Sequence, residues 1–402
     1  MDHDIDLAKP RRDAVWEVFR AALRLGLTSF GGPVAHLGYF RAEYVEKRRW
    51  LNDQTYAEIV SLCQLLPGPA SSQVGIAIGM LRAGWLGGIA AWAGFTLPSA
   101  LALAALAYAM GATDLAGGEW AKWLLLVAVA VVAQAVQGMA LTLASERKTG
   151  SIALAAAALS LLWPASWAQL VILAGAAGVG MLLFRRADPD ANAMNPLASP
   201  VGARSAVWLL GLLLVLLFGL PAAAALADSA WLHLAANFYR AGALVFGGGH
   251  VVLPMLEPAV AEQAWMSGEQ FMAGYGAAQA VPGPLFTLSA YIGMAAAGWV
   301  GSIVAVLAMF FPSFLLVGGT LPFWSRIRRQ QRLQAVLKGI NAAVVGILLA
   351  ALYDPVFTGA VHDRFDLCVV LVAYGLLVLW KMPAWMLTGL ALIAGVATTW
   401  WM

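Results

Sequence analysis

A chain of 402 residues that is 61% hydrophobic and 11% charged is not a soluble domain, because soluble proteins carry roughly 25% charged residues. Its formal net charge of +3 gives no sign of a nucleic-acid partner. Its two cysteines, Cys63 and Cys368, are too few and too far apart for a disulfide framework or a metal site.

Taken in chain order, residues 1–13 are charged, lack the apolar core of a signal peptide and read as a cytoplasmic tail. Residues 14–184 read as a first repeat. Its first apolar stretch, Trp16–Tyr44, is broken at Phe30-Gly-Gly-Pro33 and runs into the basic segment Arg41–Trp50. Tyr56–Leu81, interrupted by Pro67-Gly68-Pro69, and Trp85–Met110 follow, then the acidic Gly111–Glu119 and the apolar Trp123–Ala144. Residues 185–204, rich in proline and small polar residues, read as a cytoplasmic linker. Residues 205–230 hold a connecting transmembrane helix, and residues 231–402 read as a second repeat with apolar spans at Trp299–Leu321 and Leu333–Leu352. A bilayer crossing takes about 20 apolar residues. Many tryptophans sit near segment ends, as interfacial anchors do.

The repeat is legible residue by residue. Arg24, Phe30-Gly-Gly, Gln64, Pro67-Gly68-Pro69, Gly84-Trp85 and Pro98-Ser99 recur as Arg240, Phe246-Gly-Gly, Gln279, Pro282-Gly283-Pro284, Gly298-Trp299 and Pro312-Ser313. Charge is exchanged between equivalent loops. Arg41–Trp50 is basic where Glu257–Glu269 is acidic, and Pro322–Lys338 is basic where Gly111–Glu119 is acidic. Basic loops stay in the cytoplasm, so equivalent loops are expected on opposite sides. The expected fold is an all-α polytopic membrane protein of two inverted-topology repeats, with the N-terminus cytoplasmic and the C-terminus periplasmic. Between an inside loop at Arg41–Trp50 and an outside loop at Gly111–Glu119 only one segment can span. Tyr56–Leu81, broken at its proline pair, is therefore expected to be re-entrant. Trp16–Tyr44 is expected to form a second hairpin from the same side, with the broken helices of both repeats meeting at the midplane.

The breaks carry the chemistry. A half-helix that starts after a break aims free N–H groups and its positive dipole end at the cavity. Four breaks are candidates to surround a small anion: Phe30, Gly31, Gly32 and Pro33; Pro67, Gly68 and Pro69; Phe246, Gly247, Gly248 and Gly249; and Pro282, Gly283 and Pro284. The alternative is that they only permit kinks and close helix packing. Arg24 and Arg240 lie six residues before their breaks in apolar surroundings, where a charge is expensive; a guanidinium fork suits a tetrahedral oxyanion. Snorkelling to the interface is their alternative role. His36 and His250 are candidates to donate to the anion or to carry a coupling proton. Gln64 and Gln279 precede the Pro-Gly-Pro turns, and Ser71, Ser72 and Thr287 follow them. The sequence has no metal-ligand cluster, nucleophile array or Walker loop, which argues against a primary pump.

The paired Phe-Gly-Gly and Pro-Gly-Pro motifs resemble the chromate ion transporter family in its long, two-domain form. The resemblance covers nearly the whole chain. It implies a bacterial inner-membrane protein that exports chromate and confers chromate resistance, with no cofactor. Expected partners are chromate, sulfate as a competitor, a coupling ion such as a proton, the lipid bilayer and a second copy in a homodimer. Rival readings are a sulfate or other oxyanion transporter, an oxyanion channel and a membrane chromate reductase. Gly249 stands where the first repeat has Pro33, and His250 comes three residues earlier than a counterpart of His36 would, so the halves are expected to contribute unequally.

Overall fold

Proline and glycine cut parts of the apolar sequence into helices, such as Asp53–Leu65 and Gly268–Ala280, that are too short to cross a bilayer. The computed structural model describes residues 12–30, 32–112, 119–163, 168–184, 199–246, 251–327 and 330–401, and every regular element among them is helical. The first repeat holds α1 (Arg12–Thr28), α2 (Gly32–Arg41), α3 (Asp53–Leu65), α4 (Ala70–Ala112), α5 (Glu119–Leu143), α6 (Arg147–Leu162) and α7 (Ala168–Leu183). The connecting helix is α8 (Ala203–Ala227). The second repeat holds α9 (Ala230–Leu244), α10 (Val252–Glu262), α11 (Gly268–Ala280), α12 (Leu288–Thr320), the single turn α13 (Trp324–Ile327), α14 (Gln331–Ala351), α15 (Arg364–Val378) and α16 (Ala384–Trp401). Five helical stretches among the described residues are long and apolar enough to span a membrane. The protein is an all-α, multi-pass membrane protein.

Equivalent positions have equivalent backbones. Asn52 caps α3 by accepting from the Thr55 N–H, and Ser267 caps α11 in a reciprocal capping box with Gln270. Both long helices fold back on themselves. Gly84 has φ 66° and ψ −158°, and Gly298 has φ 65° and ψ −156°, a region that only glycine occupies without strain. Beyond each turn the two arms touch through glycine. A side chain on Gly79 or Gly87 would collide with the backbone of the other, and the same holds for Gly293 and Gly301.

Charge pairs locate the ends of these hairpins. Glu17, early in α1, lies 3.5 Å from both Arg48 and Arg82, and both guanidinium groups stack over Trp50 at 5.1 and 5.5 Å. Arg41, at the end of α2, binds Asp53 at 2.7 Å and also Glu46. The start of α1, the end of α2, the start of α3 and the turn of α4 therefore share one end of the molecule. From that end α1 with α2, and α3 with the first arm of α4, run as two helix pairs. α3 has 13 residues, about 20 Å at 1.5 Å per residue, against a hydrocarbon core of about 30 Å. At this end Glu43 is buried, which pushes its carboxyl up, but hydrogen bonds from Arg48 and Lys47 outweigh burial and hold it below the usual carboxylate range.

The second arms of α4 and α12 cross the molecule antiparallel. Trp85 reaches Gly318, Trp92 meets Phe310 and Phe314 at 5.9 and 6.0 Å, and Tyr108 meets Trp299 at 6.1 Å. The equivalent residues Trp85 and Trp299 thus sit at opposite ends of this helix pair. A cavity of about 420 Å³ at the Trp299 end is lined by Tyr108, Met110, Trp265, Gln270, Tyr291 and Gly298, among others. The remaining helices form a mixed periphery. α14 crosses α7 at Gly339 and Gly180 and α6 at Gly346 and Ala153, small residues that let backbones approach. α5 packs on α15 and α16.

The fold-back turns set a stability test. Gly84→Ala and Gly298→Ala are each expected to cost about 1–3 kcal/mol and to lower the melting temperature in detergent. Gly138→Ala, in a helix with open space around it, is expected to leave it unchanged. Equal melting temperatures for all three would show that the turns are not constrained.

Candidate functional site

The four breaks meet in pairs, each repeat engaging the other. The Gly68 N–H donates to the Val245 carbonyl at 2.5 Å, and the Gly283 N–H donates to the Ser29 carbonyl at 2.9 Å. Val245 and Ser29 are the residues just before the two phenylalanine breaks. Each Pro-Gly-Pro turn therefore caps the broken helix of the opposite repeat. Gly68 and Gly283 have φ of 107° and 105°, so each N–H points out of its own chain path toward the partner. Orphan carbonyls at the ends of α1 and α9 are satisfied without water.

Around this crossing the site residues separate into three groups. Some are held in it. His36 is buried, shares a 3.3 Å hydrogen bond through Nδ1 with Ser71 Oγ, and meets the Phe95 ring edge-on at 5.3 Å. The Pro67 carbonyl accepts from Gln73 Nε2 at 2.5 Å, and the Pro69 carbonyl accepts from the Gln73 N–H. Thr287 is buried with its hydroxyl engaged on the Pro284 carbonyl at 2.7 Å. Phe30 and Phe246 are half-buried, Phe30 against Trp385 at 5.4 Å. Pro282 is also half-buried, and Gly32 opens α2 with φ 79°. Gln279 is half-buried and hydrogen-bonded to Tyr275.

A second group lies on an open face. Arg24 and Gln64 are exposed, while Arg240, the counterpart of Arg24, is half-buried and donates to Asn237 Oδ1 at 3.1 Å. The same inequality runs along both hairpins. Leu27 is 55% exposed and its counterpart Ala243 is 3% exposed; Ala57 is exposed and its counterpart Met272 is buried. The cause is the periphery: α11 is covered by α5 and α16, whereas α3 lies chiefly against α4 and α2. The exposed residues of α3 include Gln54, Ser61 and Gln64, and those of α1 include Arg24 and Thr28, a composition suited to water rather than hydrocarbon. The third group, Gly31, Gly247, Gly248, Gly249 and His250, lies outside the described residues, as does the side chain of Pro33.

Reasoning from sequence named Ser72 as a candidate and Ser313 only as part of the repeat, and it missed Ser29 and Thr96. Ser29 Oγ, Ser72 Oγ, Thr96 Oγ1 and Ser313 Oγ, with His36 Nε2 and Gln73 Oε1, are buried and have no hydrogen-bond partner among the described residues. A buried polar group left unpaired costs about 1–3 kcal/mol. Only Ser72 and the Pro-Ser pair at Ser313 left a trace in the sequence, as polar residues inside apolar runs. Among the described residues no group of His, Cys, Asp and Glu could hold a metal ion.

The sequence profile described as Chromate transporter matches residues 16–181 and, a second time, residues 232–396. The chain belongs to the chromate transporter family. It is 30% identical to a probable chromate transport protein of Synechococcus elongatus over 93% of both chains. It is 27% identical to a chromate transport protein of Pseudomonas aeruginosa, covering 84% of this chain and 80% of that one. A chromate transport protein of Cupriavidus metallidurans is 30% identical over 82% of this chain and 79% of its own. No solved structure matches. The two profile matches fall on the two repeats that exchange the crossing bonds.

The inequality between the hairpins gives a direct test in a chain freed of Cys63 and Cys368. A water-soluble thiol reagent is expected to label Leu27→Cys and Ala57→Cys at least ~10-fold faster than Ala243→Cys and Met272→Cys. Equal rates within either pair would show that the open face is not wet.

Proposed function

We propose that this family member is a secondary transporter that exports chromate from the bacterial cytoplasm across the inner membrane and so confers chromate resistance. The observation that carries the reading is the crossing itself, where broken helices of both repeats meet between buried donors. That is the arrangement in which transporters hold a substrate near the midplane. The antiparallel second arms of α4 and α12, with Trp85 and Trp299 at opposite ends, support an inverted pair of repeats. The tips of the α1–α2 and α3–α4 hairpins meeting the second repeat's breaks support re-entrant hairpins. The basic cluster Arg41, Lys47, Arg48 and Arg49 sets the first repeat's hairpin ends in the cytoplasm, by the positive-inside rule. The open face of α1 and α3 then leads inward from the cytoplasm.

On this reading the cycle alternates. With α11 covered and α3 open, the anion reaches the crossing from inside. Closure of the periphery over α3 and its release from α11 opens the other side. Arg24 and Arg240 supply positive charge on the two approaches to the site. The interior-negative potential drives a dianion outward by about 4.6 kcal/mol per 100 mV, twice the value for one charge. Exchange for another ion, such as a proton, is the alternative drive. Chromate and sulfate are both tetrahedral dianions, so sulfate competes and chloride does not.

Reconstituted vesicles test the reading. Chromate flux is expected to follow an imposed potential, to be inhibited by sulfate and to saturate. Arg24→Gln and Arg240→Gln each remove a positive charge on an approach to the site, so a loss of apparent affinity that shrinks at high ionic strength is expected. Lys at either position retains part of the affinity. Absence of chromate flux in vesicles that hold folded protein would sink the reading.

A further inference from the structure

The unpartnered atoms at the crossing are contiguous. Ser72 and Gln73 follow Ser71, the partner of His36, in the first turn of α4. The His36 ring rests on Phe95, next to Thr96. Gly68 is flanked by the Gln73 amide and by Ser313, whose hydroxyl lies 3.4 Å from where a Cβ on Gly68 would sit. Ser29 lends its carbonyl to Gly283, which in turn lies against the Phe95 carbonyl and Ser99. A helix start, four hydroxyls and an imidazole thus lie around one crossing; the hydroxyls are buried and without a hydrogen-bond partner, and the imidazole is held by Ser71 and the Ser29 backbone.

The fold does not require them. The second repeat has Val245 in place of Ser29 and Phe310 in place of Thr96. Where both repeats keep a hydroxyl, one is engaged and the other free. Thr287 donates to Pro284 while Ser72 is free, and Ser99 donates to the Thr96 carbonyl at 3.0 Å while Ser313 is free. The buried carboxylates among the described residues, Glu43, Glu58 and Asp366, are engaged elsewhere, with Arg48, Trp324 and Lys122.

We infer that Ser29, His36, Ser72 and Thr96 of the first repeat, with Ser313 of the second, are the direct ligands of the transported oxyanion. The seat is one-sided and made of neutral donors at the N-terminus of α4. This rests on the transport reading and deepens it. Neutral hydroxyl donors beside the positive end of a helix suit a ligand that offers only acceptors. The sixth atom, Gln73 Oε1, is an acceptor because its amide nitrogen is held by Pro67. It suits a ligand oxygen that carries a proton, or a neighbouring hydroxyl. The arginines then act on approach, and the hydroxyls act on selection.

The test uses the full chain in vesicles with chromate as probe. Ser72→Ala and Thr96→Val are each expected to raise the chromate KM roughly tenfold, as loss of a hydrogen bond to a charged group does. Their melting temperature should hold or rise, because the lost hydroxyl has no protein partner. Thr96→Ser is expected to restore the KM. The controls Thr320→Val and Thr388→Val, whose hydroxyls are engaged on the Leu316 and Ala384 carbonyls away from the crossing, are expected to leave KM unchanged. An unaltered KM in Ser72→Ala and Thr96→Val, in vesicles that transport, would overturn the seat while leaving the transport reading standing. So would variants that change only a dependence on sodium or potassium, which would mark a coupling-cation site. If the wild type moves no chromate, the transport reading fails by itself. Sulfate-induced thermal stabilisation, expected in the wild type and lost in Thr96→Val, then decides the seat.

Discussion

A helix such as α3, 13 residues or about 20 Å long, is shorter than a bilayer core of about 30 Å, and a helix end within lipid would leave carbonyls that lipid cannot satisfy. This chain meets that constraint with two backbone hydrogen bonds, from Gly68 to Val245 and from Gly283 to Ser29. Each bond joins a turn in one repeat to a helix end in the other, so neither repeat is satisfied alone. The glycine conformations, the flanking prolines and the small residues at Gly79, Gly87, Gly293 and Gly301 all serve this meeting. The two halves therefore complete each other at their breaks.

The symmetry of the backbone makes its departures informative. Equivalent turns agree to within a few degrees at Gly84 and Gly298 and at Gly68 and Gly283. Equivalent surfaces differ: Ala243 and Met272 are covered where Leu27 and Ala57 are open. Equivalent side chains differ as well, with hydroxyls in the first repeat where the second has Val245 and Phe310. On the proposed transport reading, the difference in cover corresponds to one side of a cycle, and the difference in chemistry corresponds to a single substrate seat.

Much of this was legible in the sequence, and the reason is local. Proline and glycine act on the backbone where they stand, so the breaks at Phe30, Pro67, Phe246 and Pro282 could be read directly, as could the apolar spans between them. Pairing across the repeats could not, because which carbonyl Gly68 meets is decided by the packing of α9 against α12, not by Gly68. The burial of Arg24 was equally hidden. A lone arginine in an apolar run reads as deep in sequence, yet in the fold it lies on the open face of α1. Ser29 and Thr96 were silent because a hydroxyl near a helix ordinarily bonds its own backbone, and only the fold shows that these do not.

The central claim is that the two repeats enter from opposite faces and meet midway. Accessibility of Lys47→Cys and Glu262→Cys in a chain freed of Cys63 and Cys368 tests it most directly, using an impermeant thiol reagent on intact cells and on inverted membrane vesicles. The account predicts that Glu262→Cys is labelled only on intact cells and Lys47→Cys only on inverted vesicles. Labelling of both positions from the same side would contradict it.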